Sequence, residues 1–126
     1  MTEDERTDAS PDEFTVFLTF HMGGPDEQRT FLEAYRPVVT EFVRDWPGFR
    51  GATLFVSTDG RRVVNHTRWV DEAAYRDFLE RSDPAPRLRA IEAALASVPG
   101  MIGPDMRVTH TYRAAIEVAP SAEVAQ

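Results

Sequence analysis

Residues 61–78, RRVVNHTRWVDEAAYRDF, decide the fold. Arg61–Val70 interleaves β-branched and aromatic residues with polar ones and reads as a strand. Asp71 then suits a helix N-cap, Glu72 meets the positive end of the helix dipole, and residues 72–81 read as a short helix. Strand side chains alternate between faces, so Asn65, Thr67 and Trp69 share one face and His66 takes the other. A polar amide and a large flat ring thus point together at the mouth of the following helix. That arrangement can grip an aromatic molecule by stacking and orient it through a hydrogen bond.

Upstream, Asp59-Gly60 is a two-residue hairpin signal that leads back to a strand over Phe49–Ser57. Trp46-Pro47-Gly48-Phe49 turns the chain into that strand from a helix over 27–44, whose apolar stripe is Phe31, Leu32, Tyr35, Val38, Val39, Phe42 and Val43. Pro37 lies inside the stripe and is expected to kink the helix or split it near Arg36. Gly23-Gly24-Pro25-Asp26 separates this helix from a first strand, Phe14–Met22. Downstream, Ser82-Asp83-Pro84 interrupts the chain before a helix over 85–97 with Leu88, Ile91, Leu95 and Val98 on one face. Pro99-Gly100 ends it, and Met106–Ile116 reads as a fourth strand. Residues 1–12 read as a disordered acidic leader and 118–126 as a frayed tail, leaving one domain over 13–117.

The order β-α-β-β-α-(α)-β predicts an α+β, ferredoxin-like split βαβ fold: a four-stranded antiparallel sheet with helices on one face. The first strand is apolar on both sides, with Val16, Leu18 and Phe20 set against Phe17. A sheet covered on one side only would leave the other apolar side wet, so a two-fold homodimer is expected.

At 126 residues there is room for one core, and a 42% hydrophobic fraction is enough to fill it. No apolar run approaches the ~18 residues of a membrane span. The start, MTEDERTDAS, reads as neither a signal nor a transit peptide, so a cytoplasmic protein without a membrane partner is expected. Fourteen basic against 21 acidic residues give −7, but six of the acids sit in residues 1–13, so the body is near neutral. No clustered basic face is visible, which disfavours nucleic acid as a partner. Without cysteine there is no thiolate nucleophile or metal site, and no Gly-x-Gly-x-x-Gly run offers a dinucleotide site. The three histidines lie on different strands, with His66 facing away from Asn65; the expectation is no metal and no cofactor.

The element order, the Pro47-Gly48-Phe49 turn into strand two, the Asn65-x-x-x-Trp69 strand end, the acidic helix start at Asp71-Glu72, and Tyr75 and Phe78 together resemble the antibiotic biosynthesis monooxygenase family. The likeness covers about residues 13–117. It implies the dimeric α+β barrel, and its nearest branch contains cofactor-free oxygenases that convert anthrones or hydroxylated aromatics to quinones in aromatic polyketide pathways. The resemblance implies catalytic roles for Asn65, Trp69 and Arg89 and a substrate contact from Tyr75, with a small aromatic substrate and molecular oxygen as the partners. Some members add a tyrosine from strand two, and Phe49–Ser57 has none. The heme-degrading branch pairs its tryptophan with an Asn on strand one and a His on the last helix; both are lacking here.

Each assignment has a structural alternative. Asn65 can be a satisfied strand amide, Trp69 and Tyr75 core residues, and Arg89 a solvated helix charge. His21 and His110 are candidate substrate-binding groups or general bases, since histidine titrates near neutrality, or else structural strand residues. The rival functions for the same fold are a non-catalytic ligand-binding or accessory module and a polyketide cyclase or isomerase.

Overall fold

The computed structural model describes residues 13–99 and 110–121. The elements are β1 (Phe14–His21), α1 (Pro25–Phe42), β2 (Phe49–Val56), β3 (Arg62–Trp69), α2 (Glu72–Arg81), α3 (Pro84–Ala96) and β4 (His110–Arg113). The four strands form one antiparallel sheet in the order β2-β3-β1-β4. β3 lies between β1 and β2, and the expected ferredoxin-like split βαβ arrangement results. Among the described residues no helix is long and apolar enough to cross a membrane.

Cross-strand pairing sets the two faces. Phe14, Val16, Leu18 and Phe20 of β1 stand opposite Trp69, Thr67, Asn65 and Val63 of β3, and the helices cover this side. Phe17 and Thr19 stand opposite His66 and Val64 on the other side, which the described helices leave uncovered. On the edge strand β2 the ladder slips between Phe49 and Gly51. One extra residue in a strand resets the alternation, so Phe49, Ala52 and Leu54 all join the covered face opposite Trp69, Thr67 and Asn65.

The core falls into two clusters. One is built on Phe20, Phe31, Tyr35, Val38, Val63 and Ile91; the other on Phe14, Val16, Val43, Trp69 and Phe78. The fully buried rings of Phe20, Phe31 and Tyr35 touch in a tilted trio with centroids 4.8–5.4 Å apart. Burial of each such side chain contributes on the order of 1.5–3 kcal/mol. Between the clusters the packing is incomplete, and that gap is the site described below.

Four sequence expectations change in detail. α1 begins at Pro25, whose missing N–H costs nothing at a first helical position, and runs unbroken through Pro37. The hairpin is not a two-residue turn. Ser57 N–H bonds the Arg62 carbonyl at 3.0 Å, Gly60 N–H bonds the Ser57 carbonyl at 3.0 Å, and the Ser57 hydroxyl and Asp59 carboxylate receive the Arg61 and Arg62 amides. Buried Gln28 ties α1 to this hairpin through bonds from Nε2 to the Ser57 and Arg62 carbonyls at 3.1 and 2.9 Å. β4 is only His110–Arg113: residues 106–109 of the expected strand lie outside the described residues, and Ala114–Ile116 continue without strand pairing. The leader expected over 1–12 and the last part of the expected tail, 122–126, also lie outside them.

Candidate active site

α2 starts where the sequence places it. The Asp71 carboxylate accepts the Ala74 N–H at 2.9 Å, and the helix turns Tyr75 and Phe78 back onto Trp69, with ring centroids 5.5 and 5.2 Å from the indole. Residues three and four apart share a helix face, so Leu79 follows Tyr75 and Phe78 toward the sheet. Gly48 lets the preceding turn approach this junction. Its φ of 88° favours glycine, and a Cβ there would lie 2.5 Å from the Ala74 Cβ.

A cavity of about 170 Å³ lies between the covered face of β3 and the helices, with Asn65, Trp69, Tyr75, Tyr35, Arg87 and Ile91 among its lining residues. Its rim includes Leu79 and Leu88, 48% and 44% exposed. Drug-sized ligands fill about 300–1,000 Å³, so this volume suits one or two aromatic rings.

The structure brings Asn65, Trp69 and Tyr75 together as the sequence anticipates. It gives Asn65 and Trp69 a definite bonding state. Trp69 is 1% exposed, and its indole N–H donates to the Thr67 hydroxyl at 3.0 Å. The ring is therefore available as an apolar wall, but its donor is already used. Asn65 Nδ2 donates to the Tyr35 hydroxyl at 2.9 Å. Asn65 Oδ1 is buried and has no hydrogen-bond partner among the described residues. A buried polar atom left unpaired costs about 1–3 kcal/mol.

The expected arginine is replaced by a neighbour. Arg89 is exposed and does not line the cavity; Arg87 does. Helical residues two apart point about 200° away from each other, so one α3 face cannot present both. Arg87 lies one turn before buried Ile91 and two before buried Ala94, at the head of the inward stripe. Its guanidinium sits 4.6 Å from the centre of the Phe78 ring and bonds the Ser82 hydroxyl at 3.0 Å. Burial lowers its pKa, opposed by Tyr75, Tyr35 and Asp83.

Burial pushes the Tyr35 phenol up to about 12, against smaller opposing effects of Asn65 and Arg87. Burial also raises Tyr75, again partly offset by Arg87. Both hydroxyls are thus held protonated beside a cation.

The two histidines are not in this cavity. His21 pairs across the sheet with Arg62, and His110 with Phe17, which puts both on the uncovered face; both are exposed. The register between strands, which fixes the face, decides their placement. Also on that face, His66 stacks on Phe17 at 4.3 Å with ring planes 1° apart, and its Nε2 is buried without a partner among the described residues. Desolvation, helped by Arg68 and opposed by Glu13, holds the His66 pKa below its usual value. Among the described residues no three His, Asp or Glu side chains are grouped to hold a metal ion.

The tetracenomycin-F1 monooxygenase of Streptomyces glaucescens is 39% identical over 67 residues, or 53% of this chain; the match spans only 59% of that protein's length. The crystal structure of a monooxygenase from the gene ActVA-Orf6 of Streptomyces coelicolor, solved with nanaomycin D, superposes with a TM-score of 0.68 at 34% identity, covering 88% of this chain and 95% of that one. SnoaB, a cofactor-independent oxygenase from Streptomyces nogalater, shares the fold with a TM-score of 0.63 at 23% identity, over 86% of this chain and 99% of its own. The sequence profile described as antibiotic biosynthesis monooxygenase matches residues 14–84, more than half of the 126. The chain belongs to the antibiotic biosynthesis monooxygenase family.

Proposed function

We propose that the protein is a monooxygenase needing neither metal nor flavin, which oxidises a polycyclic phenolic, anthrone-like polyketide intermediate to a quinone with molecular oxygen. The observation that carries this reading is the convergence of Asn65, Trp69, Tyr75 and Arg87 on one largely apolar cavity. The names of two relatives, a tetracenomycin-F1 monooxygenase and a monooxygenase solved with nanaomycin D, support the substrate class.

Ground-state dioxygen is a triplet and reacts slowly with closed-shell molecules, but an electron-rich carbanion can give it an electron directly. In an anthrone the methylene proton leaves to water at the rim, and the Arg87 charge stabilises the resulting enolate in a site of low polarity. One electron passes to oxygen, and the substrate radical and superoxide join through a new C–O bond. The peroxide takes a proton at the terminal oxygen, supplied through the protonated Tyr75 hydroxyl. Loss of water then leaves a carbonyl. The balance is one methylene and one O2 in, one carbonyl and one water out.

The same reading takes the protein as a homodimer joined through the uncovered sheet face. That face carries Phe17, Phe55 and Tyr112, the last two each 50% exposed, around the unpartnered His66. An aromatic patch of this kind marks an interaction surface.

The test is oxygen uptake on mixing chelator-treated protein with emodin anthrone. Uptake well above the spontaneous rate, with one quinone formed per O2, is the expected result. A second reading, a non-catalytic ligand-binding module, is favoured by one feature: the Trp69 donor is committed to Thr67 and is not free for oxygen. Tight binding of the quinone without accelerated uptake would establish that reading, and loss of activity on chelation would remove the metal-free one.

A further inference from the structure

Tyr35 has no role in the assignments above, yet it makes the one side-chain hydrogen bond that Asn65 has among the described residues. Its hydroxyl oxygen accepts from Asn65 Nδ2, which fixes the amide and commits one of its two N–H donors. Both residues line the cavity, and beside the second amide N–H two polar capacities remain there. One is the buried Asn65 Oδ1, an acceptor without a partner among the described residues. The other is the Tyr35 hydroxyl hydrogen, since a hydroxyl that accepts one bond can still donate its own proton. Burial keeps that proton in place far above neutral pH. The surrounding wall, Trp69, Val38 and Ile91, is apolar and offers neither group a partner.

We propose that Tyr35 is a positioning residue that sets Asn65 with its oxygen free for the ligand, so that the site selects an aromatic molecule carrying a neutral hydroxyl at this point. A single phenolic O–H satisfies both groups. It donates to Asn65 Oδ1, and its oxygen accepts from Tyr35. An ionised oxygen here would meet the Oδ1 lone pairs, and a methyl ether would leave Oδ1 unpaired. The oxygen that ionises during oxidation is therefore a different one from the oxygen held by Asn65. The inference deepens the functional reading and rests on this cavity being the ligand site, although not on the protein being an oxygenase.

The test compares binding of 2-naphthol and 2-methoxynaphthalene, two bicyclic probes that oxygen does not consume, by calorimetry on the full chain. Wild type is expected to prefer the naphthol by at least about tenfold, about 1.4 kcal/mol. Tyr35→Phe should cut that preference to less than about threefold by weakening the naphthol and sparing the ether, because a pinned amide is lost but the ring volume is kept. Asn65→Leu, which removes the acceptor outright, should abolish the preference and covers the case in which Tyr35→Phe does not fold. A role for Tyr35 in packing alone would weaken both probes in parallel, and that result overturns the proposal. So does a wild type that binds both probes equally or neither. A clear naphthol preference without oxygen uptake on emodin anthrone would leave this inference standing and remove the oxygenase; oxygen uptake without the preference would do the reverse.

Discussion

Asn65 and His66 are adjacent on β3 and look out on opposite sides of one sheet, and each carries a buried polar atom without a partner among the described residues. Their surroundings differ. Asn65 faces an enclosed cavity with a cation and two protonated phenols, under a roof of helices. His66 faces an uncovered sheet and is stacked between Phe17 and Phe55, with a second ring contact at 6.1 Å. The enclosed acceptor calls for a small molecule that fits a cavity. The flat aromatic surface calls for a second flat surface. On our reading, one strand thus serves a ligand with one face and a second copy of the chain with the other.

The largest expected effect breaks the covered side. Arg87→Ala should lower kcat with an anthrone about 10²-fold, the scale of losing one charge stabiliser at an anionic transition state, whereas Arg89→Ala should stay within about twofold. Equal losses in the two variants would mean that the exposed arginine reaches the substrate after all. Next comes the uncovered side. Phe17→Glu puts a charge into the aromatic patch and should shift the chain from dimer to monomer by light scattering while leaving the fold intact by circular dichroism. A variant that stays dimeric would locate the interface elsewhere. Trp69→Phe keeps a flat wall and loses only the bond to Thr67, so turnover should fall less than about tenfold. A loss as deep as that of Arg87→Ala would give the indole N–H a direct chemical part.

The smallest effect is a pH dependence. The His66 pKa is lowered from 6.5 in the folded protein, chiefly by desolvation. The unfolded chain then binds more protons than the folded one between the two values. His66 therefore contributes stability that is fully present above 6.5 and is lost as pH falls through the lowered folded value. The midpoint of thermal unfolding should drop over that interval in wild type and drop less in His66→Phe. An identical slope in both would assign the dependence to the carboxylates.

Much of this was legible in the sequence. The strand–helix punctuation gave the element order, and the two-residue alternation along β3 put Asn65, Thr67 and Trp69 together and His66 apart, because those rules are local. The failures are non-local. Tyr35 sits 30 residues before Asn65 and reads as one more apolar position on a helical stripe; only docking of α1 onto β3 shows its hydroxyl reaching the amide. Arg87 and Arg89 are equally plausible in sequence until the helix is phased on Ile91 and Ala94, which puts Arg87 inside. Counting back four from Ile91 would have found it. His21 and His110 were drawn toward the ligand by their chemistry, and strand register, which no pattern within one strand reveals, turns them to the uncovered face.

The most direct measurement is a crystal structure of the protein with a hydroxylated anthraquinone bound. We expect the rings to lie against Trp69 beneath the α2–α3 roof, with one hydroxyl within hydrogen-bond distance of Asn65 Oδ1 and another oxygen turned toward Arg87. A quinone stacked instead on Phe17 and His66, with the cavity beside Asn65 closed, would contradict the account.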